Sequence, residues 1–128
     1  MDMEFEPNIP IYKQLMYEIK RKIVLNEIKP GDKLPSIRET SSKFQVNPNT
    51  VQRTYQELER EGITYTQRGM GNFVKEDMKM VQNLKDEMAS KVLDKFISGM
   101  KNIGFSNLEI VDIVRKKLKN IDDDKGEI

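Results

Sequence analysis

The chain has neither cysteine nor histidine among its 128 residues. Without cysteine there is no disulfide, no thiolate nucleophile and no sulfur ligand, and nothing calls for an oxidising compartment. Without histidine, the commonest general base, the commonest metal ligand and the usual pH switch are lost together. A catalytic site would need carboxylates, lysine, tyrosine or serine alone, and no convincing constellation of these is present. The chain is therefore expected to be no enzyme and to carry neither metal nor cofactor. Long apolar runs are missing too: the longest are two or three residues, far below a membrane span. The opening MDMEFEPNIP is acidic, with no basic start and no apolar segment, so it does not read as a signal peptide. A cytoplasmic protein without membrane contact is the expectation. A large net charge is also absent, since 22 basic residues face 21 acidic ones for a balance of +1. Any footprint for nucleic acid must then be local. The length suits one compact domain with an appended arm.

What is present is a series of helical patterns with clear punctuation. Pro10 opens a first helix with Ile11, Leu15, Ile19 and Ile23 in one row and Tyr12, Met16 and Leu25 near it. A proline costs little in a first turn, because its missing N–H would be unpaired there. Lys29-Pro30-Gly31-Asp32 reads as a turn. In KLPSIRETSSKFQV, Ser36 and Glu39 have the spacing of a capping box, announcing a short helix from about Ile37 to Phe44. Asn47 is a good N-cap and Pro48 fits a first helical position, so a third helix starts there and ends near Gly62. The short connection between these two helices is that of a helix-turn-helix. ITYTQRGMGNFVKE then changes period and reads as a hairpin with a loose Arg68-Gly69-Met70-Gly71 turn. Its Gly-x-Gly lacks the third glycine, the Lys-Ser/Thr ending and the following helix of a phosphate loop.

From Met78 a helical stripe runs through Met80, Val81, Leu84, Met88, Val92, Phe96 and Met100. Asn102 to Phe105 interrupts it, with Gly104 as a left-handed stop. Ser106 and Glu109 form a second capping box, opening a last helix with Leu108, Val111, Ile113, Val114 and Leu118. The expected division is a helix-turn-helix and hairpin domain over 1–76, a two-helix arm over 77–121 and a frayed acidic tail over 122–128. The fold class is mainly α with a small β-hairpin.

The third helix has two unlike sides. Val51, Tyr55 and Leu58 keep the i, i+4, i+7 spacing of a buried stripe. Asn49, Thr50, Gln52, Arg53 and Gln56 are rich in hydrogen-bonding groups. An ordinary solvated face is one reading. The surroundings favour another, because between Lys33 and Arg53 there are four basic residues and one acid. The acids gather later, at Glu57, Glu59 and Glu61. Three helices followed by a hairpin make a winged helix-turn-helix, whose third helix at 48–61 would enter a major groove about 12 Å wide. Asn49, Thr50, Gln52 and Arg53 would then face bases and phosphates, the helix N-terminus would favour a phosphate, and the wing at 63–75 would bring Arg68 to the backbone or minor groove. Taken alone, Arg68 equally suits a solvated turn.

KPGDKLPSIRE, VNPNTVQRTYQELEREG and RGMGNFV, in that order, resemble the winged helix-turn-helix of the GntR family of bacterial transcription regulators over roughly Ile9 to Val74. Many members carry a basic residue at the place of Pro48 and arginine at that of Gln52; this chain has neither. Asn-Pro-Asn-Thr-Val is instead similar to the YtrA-like branch. The resemblance implies that Ser36 and Arg38 contact phosphate or a base at the groove edge, that Asn47, Asn49, Thr50 and Arg53 are recognition-helix contacts, and that Arg68 and Gly69 are wing contacts. It also implies a repressor of its own operon, often one encoding an ABC transporter.

Double-stranded DNA and a second copy of the chain are the expected partners. The dimer interface is expected at Leu84, Met88, Val92, Phe96, Met100, Val111, Val114 and Leu118, although the stripe could instead fold back on the first helix. A two-fold dimer calls for an inverted-repeat operator. The methionines from Met78 to Met100 read as adaptable packing. No polar cluster marks a small-molecule effector site, and no effector is assigned. The alternative function is a winged-helix module that binds protein partners without sequence-specific DNA binding.

Overall fold

The computed structural model describes residues 3–126. Its elements run α1 (Ile11–Val24), α2 (Ile37–Phe44), α3 (Pro48–Arg60), β1 (Thr64–Gln67), β2 (Gly71–Val74), α4 (Met78–Asn102) and α5 (Asn107–Gly126). This is the mainly helical class with one antiparallel hairpin that the periodicities call for. The chain divides between Lys85 and Asp86 into two compact units.

In the first unit α1 packs on α3, α2 packs on α3, and β1 meets the end of α3. The apolar row of α1 supplies Leu15, Met16, Ile19 and Ile23 to the core, against Val51, Tyr55 and Leu58 of α3 and the flanking Leu34, Val46, Ile63 and Val74. Each such side chain contributes about 1.5–3 kcal/mol by leaving water. Pro10 is the N-cap of α1 and offers no side-chain cap. Gln14 fastens this end instead: its Oε1 accepts from Glu6 N–H at 2.8 Å, and its Nε2 donates to the carbonyls of Glu6 and Ile9 at 2.9 and 2.8 Å.

Four helices stop at a residue with left-handed backbone: Asn26 (φ 63°), Gln45 (φ 56°), Gly62 (φ 80°) and Gly104 (φ 96°). After α3, Gly62 N–H returns to Glu59 O at 2.9 Å and Ile63 N–H to Leu58 O at 3.0 Å. After α4, Gly104 and Phe105 repeat this pattern onto Lys101 and Met100 at 3.0 and 3.1 Å. Both are Schellman ends, which satisfy carbonyls that the helix leaves unpaired.

The hairpin pairs Thr64 with Val74, Tyr65 with Phe73, Thr66 with Asn72 and Gln67 with Gly71. The Tyr65 and Phe73 rings stack across it with centroids 5.7 Å apart. β2 also has a partner on its other edge. Gly31 N–H donates to Val74 O, Val74 N–H to Asp32 O and Leu34 N–H to Asn72 O, at 2.9, 2.9 and 2.8 Å, around a bridge between Lys33 and Phe73. The segment read as a plain turn therefore doubles as an edge for the wing.

Asp77 caps α4 by accepting from the N–H groups of Lys79 and Met80 at 3.0 and 3.2 Å. In the second unit the Ser106–Glu109 box opens α5, with Ser106 N–H donating to Glu109 Oε1 at 2.9 Å and Glu109 N–H to Ser106 Oγ at 3.2 Å. α5 continues to Gly126, beyond the expected start of a frayed tail at 122; residues 127 and 128 lie outside the described part. Charge alone does not end a helix, and no glycine or proline intervenes between Asn107 and Gly126. Ile110 is buried in this unit, whereas Val92, Leu93, Phe96, Ile97, Val111 and Leu118 are exposed.

Candidate nucleic-acid interface

At 100° per residue, Asn49, Gln52, Arg53 and Gln56 span an arc of roughly 100° on α3, and all four are exposed. Val51, Thr54, Tyr55 and Leu58 lie on the opposite side and are buried. Thr54 tolerates burial because its hydroxyl donates to Thr50 O at 2.8 Å. The helix is thus packed into the core by its back, and the polar side chains of its front are exposed.

Tyr55 fixes how this front is presented. Its hydroxyl donates to Pro35 O at 2.7 Å and lies 2.8 Å from Thr40 Oγ1. One phenol therefore ties the loop before α2, α2 itself and α3. Burial pushes its pKa up, partly opposed by the hydrogen bond with Thr40. α2 is set by its capping box: Glu39 N–H donates to Ser36 Oγ and Ser36 N–H to Glu39 Oε1, each at 3.0 Å. These bonds from Ser36, backbone first, hold the Glu39 carboxyl below its usual range. The single acid in the basic stretch is thereby engaged with the backbone of its own helix start.

Each expected contact residue of the DNA-binding domain has a defined place. Ser36 is exposed and its hydroxyl proton is free to donate outward, because Oγ is used as an acceptor. Asn47 caps α3 through Oδ1, which accepts from Asn49 N–H at 2.8 Å, so its amide N–H groups are what remains for a ligand. Thr50 is half-buried. Arg38, Gln52 and Arg68 are exposed, and neither arginine forms an ion pair among the described residues. Arg53 is exposed and stacks on Tyr12 of α1, with the guanidinium carbon 3.9 Å from the ring centroid. Gly69, at φ 78°, has nothing within 4 Å of where a side chain would begin, which leaves the wing tip open. At the far end of α3, Glu57 pairs with Arg60 and Glu61 with Lys20, the latter at 2.7 Å.

Two residues outside the sequence-derived set belong to this surface. Lys33 is exposed and lies across the wing backbone: a Cβ on Gly71 would stand 2.9 Å from Lys33 Cε. Its charge was legible, but its place on the wing depends on the long-range pairing with β2. Tyr12 was counted with the apolar row of the first helix, and nothing in the spacing places it beneath Arg53. Of the residues expected between copies, Leu84 is only 5% exposed in the single chain. Val92, Phe96, Val111 and Leu118 are exposed, and Met88, Met100 and Val114 are half-buried. Among the described residues no group of three acids or other ligands is placed to hold a metal, and no helix is long and apolar enough to cross a membrane.

A recognition helix held by its back, a capped helix packed across it and a hairpin just beyond it define the winged helix-turn-helix of DNA-binding transcriptional regulators. The chain belongs to the GntR family: residues 11–74 match the pattern of the bacterial regulatory proteins, gntR family. It is 44% identical to the HTH-type transcriptional regulator YhcF of Bacillus subtilis over 115 residues, covering 90% of this chain and 95% of YhcF. It is 39% identical to the HTH-type transcriptional repressor YtrA of the same organism, over 71% of this chain and 75% of YtrA. A GntR family transcriptional regulator from Listeria monocytogenes superposes with a TM-score of 0.82 at 40% identity, over 88% of this chain and 98% of that structure. These are regulators, not enzymes.

Proposed function

We propose that the protein is a homodimeric repressor of the YtrA-like branch that recognises an inverted-repeat operator in double-stranded DNA. The observation that carries this reading is the exposed, acid-free front of α3, whose Asn49, Gln52, Arg53 and Gln56 match what base edges in a major groove offer and accept. Ser36, Arg38, Asn47, Thr50, Arg68 and Gly69, with Lys33, supply contacts to the sugar-phosphate backbone on either side, which fix register without reading sequence. The likeness to the repressor YtrA supports repression.

Homodimerisation is supported by the apolar faces that α4 and α5 leave in solvent. Val111, Val114, Leu118 and Ile121 follow one another at steps of three and four residues, the spacing of a helix-packing seam. A two-fold dimer sets its two α3 helices on half-sites about one helical turn apart, ~34 Å. The test is selection of the purified full chain on a random duplex library at near-physiological salt. Enrichment of an inverted repeat with one-turn spacing is the expected result. A folded protein that enriches nothing, and whose weak duplex binding ignores sequence, overturns it.

A further inference from the structure

Arg53 lies on the front of α3, and the partner that holds it is an aromatic ring rather than an acid. Its guanidinium carbon sits 3.9 Å from the centroid of Tyr12, on the second residue of α1. At this range the ring face attracts the cation and restrains the guanidinium plane. The choice of partner matters chemically. A carboxylate would hold the guanidinium by occupying its N–H groups, whereas a ring beneath the plane leaves all five donors free around the edge. These donors are what a guanine O6/N7 pair or a phosphate would need.

Tyr12 is itself kept in place by an unusual means. α1 has no side-chain cap at Pro10, and an uncapped first turn is prone to fray. Here Gln14 holds the preceding strand of chain by three bonds to Glu6 and Ile9, between 2.8 and 2.9 Å. The platform for Arg53 is therefore fixed at both ends of the turn that carries it. Tyr12 is half-buried, and its hydroxyl has no hydrogen bond among the described residues, so packing of the ring is what the structure uses.

We propose that Tyr12 is a positioning residue for DNA recognition: its ring pre-sets the Arg53 guanidinium for a base edge and so contributes to sequence discrimination without touching the base. This rests on the reading of α3 as the recognition helix. Losing the stack should weaken binding to the preferred duplex roughly three- to tenfold, from the lost cation–π attraction and the freed side chain, while binding to random duplex stays unchanged.

The test is a double-mutant cycle in the full chain, with the duplex selected by the wild type and a scrambled duplex of equal length as probes. Tyr12→Leu should lose affinity for the selected duplex alone, and Tyr12→Phe, which keeps the ring, should restore it. In an Arg53→Ala background Tyr12→Leu should cost nothing more. Thermal melting of each variant separates these effects from misfolding, and Tyr12→Phe keeps the test informative should the leucine variant fold poorly. Additive losses, or an equal loss on both duplexes, overturn the role of Tyr12 while leaving α3 as the recognition helix. An Arg53→Ala protein that binds the selected duplex like the wild type overturns both.

Discussion

Tyr55 carries two demands at once: its ring fills the core, and its hydroxyl holds the helix-turn-helix together through Thr40 and Pro35. Tyr55→Phe keeps the ring but removes both bonds and leaves the buried Thr40 hydroxyl without this partner, so it should cost about 1–3 kcal/mol in urea unfolding. Because burial raises the phenol pKa, the folded state favours the neutral form. The corresponding stability is complete below the ordinary tyrosine value of about 10 and falls as pH rises through the higher folded one. Tyr55→Phe should therefore also flatten the alkaline limb of the stability curve. Arg53 poses a different question, since a guanidinium serves a base and a phosphate equally well. Arg53→Ala should cost about 1–3 kcal/mol on the preferred duplex if it reads a base; equal weakening on every sequence would make it a backbone contact. At this scale the sequence was only half legible. Apolar spacing placed Tyr55 inside, but it gave no sign of where its hydroxyl bonds. Thr54 was hidden by its type, as burial depended on a bond to its own helix. Tyr12 looked like core, because its function lies in what another helix sets upon it.

Among the elements, α2 is the one most dependent on local chemistry. It has 8 residues, too few to persist without capping and packing. Ser36→Ala removes the side-chain half of its capping box and should lower stability by about 1 kcal/mol at neutral pH. Glu39 is held below the ordinary glutamate range by its bonds with Ser36. Its share of stability is therefore present above about pH 4.3 and is lost as pH falls through the depressed value. The stability advantage of the parent over Glu39→Gln should therefore shrink as the solution is acidified, and a pH series of melting curves checks it. The end of α2 offers the opposite change. Gln45 is an L-residue at φ 56°, ψ 48°, where a Cβ crowds the backbone and glycine does not. Gln45→Gly should raise stability by about 0.5–1 kcal/mol in equilibrium unfolding. Caps and breakers are written within a few residues, which is why both capping boxes, the Asn47-Pro48 start and the Gly104 stop could be read directly. The extra edge on β2 could not, because Asp32 to Leu34 carry no alternation of their own and gain their extended form from a partner some forty positions away.

The largest scale turns on what covers the apolar surface of α4 and α5. In the second unit Val92 and Leu118 are 59% and 55% exposed, with Phe96, Ile97 and Val111 open as well. Exposed apolar side chains in such number are characteristic of an interface, and helices without packed partners are marginal in water. Sequence period marked the stripe but placed Leu84 on it and put the seam at residue 76. The structure divides into compact units after Lys85, and Leu84 is buried in the single chain. A chain ending at Lys85 should therefore keep the winged domain intact where a cut at residue 76 would strip a core side chain. This truncated protein should sediment as a monomer at concentrations where the full chain is a dimer, and its melting temperature should lose the concentration dependence that coupled association imposes. On DNA it should bind one half-site as the full chain does, since α3 and the wing are untouched. On the complete inverted repeat it should lose roughly 10²–10⁴-fold, the advantage that joining two sites confers without any new contact. A truncated chain that still sediments as a dimer and holds the full repeat would move the interface into the first unit, and the exposed faces of α4 and α5 would need a different partner.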